Sequence, residues 1–323
     1  MKKIGVFTSG GDAPGMNAAV RAVVRTCIYN NIEVYGIYEG YKGLIEGNIK
    51  QLTSKDVSNI IQRGGTVLKS ARCKAFHTKE GRQQAYDNIK KIGLDGIVAI
   101  GGDGTFTGAA IFNKEFDIPF IGVPGTIDND LYGSDNTIGY DTALNTVVEA
   151  VDKIRDTASS HNRLFLIEVM GRDAGFIALN SGIAVGAEAI LIPETQTYIN
   201  ELVQKLKSDT INHKESMIVI VAEGDDAGNA TEIAAKLKIQ CPQYDSRVTI
   251  LGHIQRGGSP TVADRVLASQ LGNAAVNSLL NNQTNKMVGI IDKQIVLTPF
   301  EKAIKSHQKI NTDLLNLAEV LSC

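Results

Sequence analysis

Short apolar runs alternate with segments of helical period along almost the whole chain. The runs Lys3–Thr8, Glu33–Ile37, Gly96–Ile100, Ile118–Val123, Arg163–Val169, Glu188–Ile192, Met217–Ala222, Arg247–Leu251 and Met287–Ile291 read as strands. Helical spacing covers Met16–Tyr29, Lys79–Lys91, Thr142–Ala158, Asn200–Lys207, Thr231–Leu237 and Ala263–Leu280, and further helical stretches follow the polar loops at 101–105 and 170–175. Such alternation predicts an α/β fold built from βαβ units, with largely parallel sheets and helices on both faces. A chain of 323 residues holds one large core or two ordinary ones, and two domains are expected. No repeat of fixed period and no low-complexity linker marks where one would end.

The polar residues gather where the predicted strands stop, which is where open α/β sheets bind ligands. The densest group, Pro124-Gly125-Thr126-Ile127-Asp128-Asn129-Asp130, follows the Ile118–Val123 run and carries a hydroxyl and two carboxylates. After the first strand, Ser9-Gly10-Gly11-Asp12-Ala13-Pro14-Gly15-Met16-Asn17 leads into a long helix, whose N-terminal amides offer themselves to a phosphate. Its Gly10 and Gly15 have P-loop spacing, but Met16-Asn17 replaces the Lys-Ser or Lys-Thr that a Walker A site needs. Gly101-Gly102-Asp103-Gly104-Thr105 supplies backbone amides beside one carboxylate, a combination that suits a nucleotide with Mg²⁺. Thr107 stands where the dinucleotide fingerprint requires a third glycine.

Arginines punctuate the remaining connections. Arg21 and Arg25 share a helix face, and Arg72 ends a polar stretch that begins at Arg63-Gly64-Gly65-Thr66. Ser159-Ser160-His161-Asn162-Arg163 closes a helix, and Met170-Gly171-Arg172-Asp173-Ala174-Gly175 joins a strand to a helix. Glu223 ends a strand, Arg247 starts one, and Gly252-His253-Ile254-Gln255-Arg256-Gly257-Gly258-Ser259-Pro260, ahead of a helix begun by proline, reads equally as an anion loop or as a structural turn around His253.

Composition narrows the field further. The formal net charge of −2 gives no basic field for nucleic acid. No signal segment is expected, and no apolar run is long enough for a membrane span. The four cysteines, Cys27, Cys73, Cys241 and Cys323, are scattered, which fits a reducing cytoplasm better than a disulfide framework.

Taken together and in order, the motifs at 9–17, 101–105, 124–130, 170–172 and 252–260 resemble those of the bacterial ATP-dependent 6-phosphofructokinase family, over essentially the whole chain. The resemblance implies two Rossmann-like three-layer domains with the active site in the cleft between them. Residues 1–138 with 255–305 would bind ATP, and 139–254 with 306–323 the sugar phosphate. It implies transfer of the ATP γ-phosphoryl group to O1 of fructose 6-phosphate. Asp128 would be the general base, supported by Thr126 and Asp130. Gly11, Arg72 and Arg172 would stabilise the transferring group, and Asp103 would serve Mg²⁺. Gly102, Gly104, Thr105 and Cys73 would line the ATP site, although the family often has an aromatic residue at the position of Cys73. The sugar would contact Met170, Gly171 and Glu223, with its phosphate among Arg163, Arg247, His253 and Arg256. Of these, positions 163 and 247 would come from a neighbouring subunit of a homotetramer.

The same resemblance implies an effector site for ADP or phosphoenolpyruvate. Arg21, Arg25, Arg155, Lys214 and the metal-associated Glu188 are retained, whereas Ser54, Asn212 and Ser216 replace basic or imidazole groups, so weakened or altered allostery is expected. Relatives that use pyrophosphate carry Asp and Lys where this chain has Gly104 and Gly125, which favours ATP. A pyrophosphate-dependent enzyme and a silent nucleotide sensor are the alternatives; the retained Asp103, Asp128 and Arg172 speak against the sensor.

Overall fold

The computed structural model describes residues 1–158, 163–211, 216–306 and 308–322. Ser159–Asn162, Asn212, Lys214 and Cys323, named above, lie outside the described residues. In chain order the strands are β1 (Lys3–Thr8), β2 (Glu33–Ile37), β3 (Ile49–Leu52), β4 (Gly96–Gly101), β5 (Phe120–Pro124), β6 (Arg163–Val169), β7 (Ala189–Leu191), β8 (Ser216–Ala222), β9 (Asp245–Ile250), β10 (Lys286–Ile291) and β11 (Gln294–Pro299). The helices are α1 (Met16–Tyr29), α2 (Tyr41–Glu46), α3 (Lys79–Ile92), α4 (Asp103–Phe116), α5 (Tyr140–Ala158), α6 (Phe176–Ala184), α7 (Ile199–Ile211), α8 (Ala230–Gln240), α9 (Val262–Leu280), α10 (Phe300–Lys305) and α11 (Thr312–Leu321).

The chain divides into two compact units. The first comprises Met1–Ile127, Leu131–Thr142 and Arg256–Gln308, and the second Asp128–Asp130, Ala143–Gln255 and Lys309–Cys323.

The first unit is built on a seven-stranded sheet of order β11-β10-β5-β4-β1-β2-β3. Its central strands are parallel, and only the edge strands β3 and β11 run antiparallel to their neighbours. Strand residues alternate between two covered faces, which is why the central strands are apolar throughout. Phe7, Ile97, Ala99 and Phe120 point into a core with α2, α3, α4 and α10, where Phe106 stacks on Phe300. Ile4, Val6, Val98, Ile100, Ile121 and Val123 are fully buried, and the helices α1 and α9 complete the layer on the sheet's remaining face. Each of these side chains contributes roughly 1.5–3 kcal/mol by leaving water. The two helices approach closely at Gly272, where a Cβ would meet Ala19 O and Ala22 Cβ, both at 2.8 Å.

Differences from the sequence reading fall at edges and caps. β3 and β11 were not expected: β3 is a four-residue edge strand with only its two end residues apolar, and β11 is an edge strand reached through a hairpin without glycine. β10 and β11 are joined by Asp292 and Lys293, both at positive φ, a tight hairpin without the glycine that usually announces one. The helix after Pro260 begins at Val262 behind a Thr261 cap, whose hydroxyl accepts Asp264 N–H at 3.3 Å, so the proline precedes the helix and does not start it. β5 and β9 are also displaced by about two residues from the expected runs, as boundary readings usually are.

The second unit has a four-stranded, all-parallel sheet of order β7-β8-β6-β9. Leu164, Leu166, Val219 and Val221 pack against α7 and α8 through Leu206, Ile233 and Leu237. α6 packs on the sheet beside α11.

Candidate active site

In the first unit, three predicted loops meet at the carboxyl ends of adjacent strands. The sheet order places β1 beside β4 and β4 beside β5, and the direction of winding reverses at β1, the switch point where such sheets bind ligands. Ser9 N donates to Ile100 O at 2.9 Å, and Gly125 N to Gly101 O at 3.0 Å, so the loops after β1, β4 and β5 are tied side by side. A side chain at Gly101 would collide with Ser9 O, at 2.6 Å from its Cβ. Gly102 lies within 3.7 Å of Thr126 Cβ on the same measure.

Two helices start in these loops without a side-chain cap. α1 follows Gly15, held at φ 107°, and α4 follows Gly102. By contrast α3, α8, α9 and α11 are capped by Thr78, Asn229, Thr261 and Asn311. Uncapped first turns keep their amides and positive potential for an anion. Gly10 and Gly11 are exposed in the loop after β1, while in the first turn of α4 Gly104 is exposed, Asp103 half-buried and Thr105 buried. Among the described residues no group of three or more acidic, His or Cys side chains could hold a metal ion. A lone carboxylate beside phosphate-binding amides is nevertheless the usual protein share of a Mg²⁺–nucleotide site, and Asp103 fits it.

Arg256 sits against this end of the first unit. Its Nη1 donates to Asp12 O at 3.5 Å, and a Cβ on Gly11 would come within 2.4 Å of it. The stretch leading to Arg72 is anchored by a residue to which the sequence reading gave no separate role. Asn17, 1% exposed, donates to Arg63 O at 3.0 Å and Gly64 O at 3.2 Å, and accepts Val67 N–H at 2.7 Å. Arg72 itself is exposed, and Cys73 is half-buried at the rim of the aromatic core.

In the second unit the loop after β6 carries Met170, Gly171 and Arg172. Gly171 has φ 148° and Arg172 φ 53°, and Glu223 Oε1 accepts both of their amides, at 3.2 and 2.8 Å. Asp128 belongs to this unit: its carboxylate is buried, and Arg172 Nε lies 3.7 Å from Oδ2. Gln255, fully buried, accepts Met170 N–H at 3.3 Å and so ties the loop to the Gly252–Arg256 turn, where His253 is exposed. Asp130 is half-buried.

Arg163 and Arg247 are not in this group. Arg163 opens β6 while Met170 follows its last residue, and a strand of seven residues puts roughly 20 Å between its ends. The two arginines share Asp245, with Arg163 Nε 3.3 Å and Arg247 Nη2 2.8 Å from its Oδ2. Asp245 was missed because sharing it between two arginines depends on the parallel pairing that brings Arg163 beside it; Arg247 lies two residues away in its own strand.

Of the expected effector residues, Arg21 is half-buried and Arg25 exposed on α1. Arg155 donates to Val185 O at 2.5 Å, and buried Glu188 accepts Ile218 N–H through Oε2 at 2.5 Å. Ser54 is exposed in the first unit.

Glycine-flanked helix starts, with a lone carboxylate at one of them, are an arrangement by which α/β proteins bind phosphates. The phosphofructokinase family model matches residues 3–279. The chain belongs to the phosphofructokinase family. It is 61% identical over 322 residues to ATP-dependent 6-phosphofructokinase 2 of Bacteroides thetaiotaomicron, covering 100% of this chain and 99% of the relative. It is 54% identical over 322 residues to ATP-dependent 6-phosphofructokinase 1 of Thermus thermophilus, covering 100% of both. Phosphofructokinase of Saccharomyces cerevisiae superimposes with a TM-score of 0.91 at 37% identity; the match covers 100% of this chain and spans 48% of the yeast chain, about half its length.

Proposed function

We propose that this protein transfers the γ-phosphoryl group of ATP to O1 of fructose 6-phosphate, giving fructose 1,6-bisphosphate and ADP in glycolysis. Full-length identity to relatives named ATP-dependent 6-phosphofructokinase supports the activity. The buried Asp128 carboxylate facing Arg172 is the observation that carries the chemistry. Asp128 accepts the proton of the O1 hydroxyl as the O1–phosphorus bond forms and the bond from phosphorus to the ADP oxygen breaks. A carboxylate suffices as base because in a loose transition state the proton leaves late.

Around that step the other residues bind and orient. The Gly11 amide, Arg72 and Arg172 carry charge that develops on the transferring oxygens. Gly102, Gly104, Thr105 and Cys73 line the nucleotide. Asp103 would hold Mg²⁺, which would supply neutralisation of phosphate charge. Thr126 and Asp130 support the base, Met170, Gly171 and Glu223 hold the sugar, and His253 and Arg256 its phosphate. Arg163 and Arg247, at the far end of β6 and β9, are assigned to the sugar phosphate of a neighbouring copy, in a homotetramer. Arg21, Arg25, Arg155, Glu188 and Lys214 are assigned to an effector site for ADP or phosphoenolpyruvate. We place the reaction in the cytoplasm, which suits the free thiols of Cys27, Cys73 and Cys241. Among the described residues no helix is long and apolar enough to cross a membrane.

A coupled assay of ADP and fructose 1,6-bisphosphate formation tests the reading, with pyrophosphate as the competing donor and Asp128→Asn as control. Turnover with pyrophosphate in place of ATP, or an unimpaired Asp128→Asn enzyme, would overturn it.

A further inference from the structure

Asp264 lies in the first turn of α9, 1% exposed, and has no part in the roles given above. Its carboxylate reaches out of its own helix to the start of α5. Oδ1 accepts Gly139 N–H at 2.8 Å, while Oδ2 accepts Thr142 N–H at 2.8 Å and the Thr142 hydroxyl at 2.5 Å. The contact is reciprocal, since Thr261 N donates to Thr142 Oγ1 at 3.1 Å and Thr261 Oγ1 to Asp141 Oδ2 at 2.5 Å. The first turns of two helices thus satisfy each other's amides.

The strip held in this way, residues 137–142, backs two of the catalytic loops. Thr137 Oγ1 donates to Thr126 O at 2.6 Å, Ile138 N donates to Pro124 O at 2.9 Å, and Ile138 forms a parallel bridge with Gly125. Gly139, at φ 100°, leaves space for only a hydrogen against Ala13, whose Cβ would lie 2.6 Å from one added there. Ile138 Cγ2 would likewise lie 2.7 Å from a Cβ on Gly15. One buried carboxylate therefore fixes a strip that supports both the turn leading into Asp128 and the end of the glycine loop that carries Gly11.

We propose that Asp264 is a positioning residue for phosphoryl transfer, acting through Gly139 and Thr142 on the Pro124–Thr126 turn and the Ala13–Gly15 loop. The inference rests on Asp128 being the base. Loss of the anchor costs alignment more than binding, because the loops persist but no longer hold the near-attack geometry.

The test measures kcat, both KM values and the thermal midpoint for Asp264→Asn, Thr142→Val, Thr142→Ser and the Asp264→Asn/Thr142→Val pair. Asp264→Asn keeps the shape but sets an NH₂ group against an amide donor, and Thr142→Val removes one hydroxyl. The expected result is a kcat about 10- to 100-fold lower for Asp264→Asn and a smaller loss for Thr142→Val, with KM values for ATP and fructose 6-phosphate within about threefold. Thr142→Ser should restore turnover, and the loss in the double variant should fall short of the product of the two single losses, because the two share the Thr142–Asp264 contact. Parental kcat in Asp264→Asn and Thr142→Val, whatever their thermal midpoints, would overturn the proposal. Should Asp264→Asn not fold, Thr142→Val measured against Thr142→Ser decides it. Asp128→Asn in the same assay separates the two readings: an active Asp128→Asn enzyme removes the base, whereas an inactive one beside a fully active Asp264→Asn removes only the positioning role.

Discussion

Arg172 Nε stands 3.7 Å from Asp128 Oδ2, an ion-pair separation too long for a hydrogen bond, between an exposed guanidinium and a buried carboxylate. The arginine's main chain is pinned by Glu223 in a left-handed conformation, while its side chain reaches across solvent. On the proposed reading Asp128 is the base that this arginine faces. Asp128→Asn keeps the shape and removes the proton acceptor. It should lower kcat by about 10²–10⁴ with little change in KM for ATP, measured by steady-state kinetics.

Arg172→Lys keeps the charge but loses the planar fork and its reach to more than one phosphoryl oxygen. Turnover should fall by at least about tenfold, with a smaller effect on ATP binding than on kcat, since the group acts where charge develops. An equal rise in KM and unchanged kcat would assign Arg172 to ground-state binding.

Gly104 is exposed in the first turn of α4, and a Cβ there meets nothing within 4 Å. Gly104→Asp should therefore fold normally, with an acid at a helix start if anything favourable. Against ATP the new carboxylate repels phosphate by about 4 kcal/mol at ~4 Å with an effective dielectric near 20. The expected outcome is a fall in kcat/KM for ATP of about 10²–10³ at unchanged thermal midpoint.

The parallel core and the glycine-flanked loops were legible because each depends on local pattern: apolar runs such as Gly96–Ile100, then Gly-Gly-Asp-Gly-Thr at the strand end. What escaped depends on distant partners. Asp245 acquires its role by pairing with β6, Gln255 by reaching Met170, and Asp264 by reaching Thr142, at sequence separations no window can span. β11 escaped for another reason: its hairpin uses Asp292 and Lys293 at positive φ, where a glycine would have signalled the turn. Similarly, the spacing of Arg163 and Met170 along one strand is trivial in sequence, yet it places them at opposite ends of β6.

Effector control should be weak. Glu188 is spent on Ile218 N–H, Arg155 on Val185 O, and Ser54 offers no charge. Fructose 6-phosphate saturation measured with and without ADP or phosphoenolpyruvate should shift by less than about fivefold, below the usual range of allosteric coupling. A shift of about 100-fold from either effector would contradict this.

Arg82 and Glu115 form a bidentate ion pair in the first unit. Nε and Nη2 of the arginine reach the two carboxylate oxygens at 2.6 and 2.7 Å, and Nη1 donates to Phe76 O and His77 O at 3.0 and 2.9 Å. The pair joins α3 and the turn before it to α4, the helix that carries Asp103 in its first turn. Hydrogen bonds from Arg82 hold the Glu115 carboxyl below its ordinary value of 4.5. A carboxyl whose folded value is depressed adds stability that is fully present above its unfolded value and disappears as pH falls through the folded one. Glu115→Gln should therefore cost about 1 kcal/mol at neutral pH, the low end for a charge-assisted hydrogen bond because the carboxylate is exposed and screened. In urea titrations the gap between parent and variant should narrow progressively below pH 4.5. A gap that stayed constant into acid would mean that the pair acts through shape and not through charge.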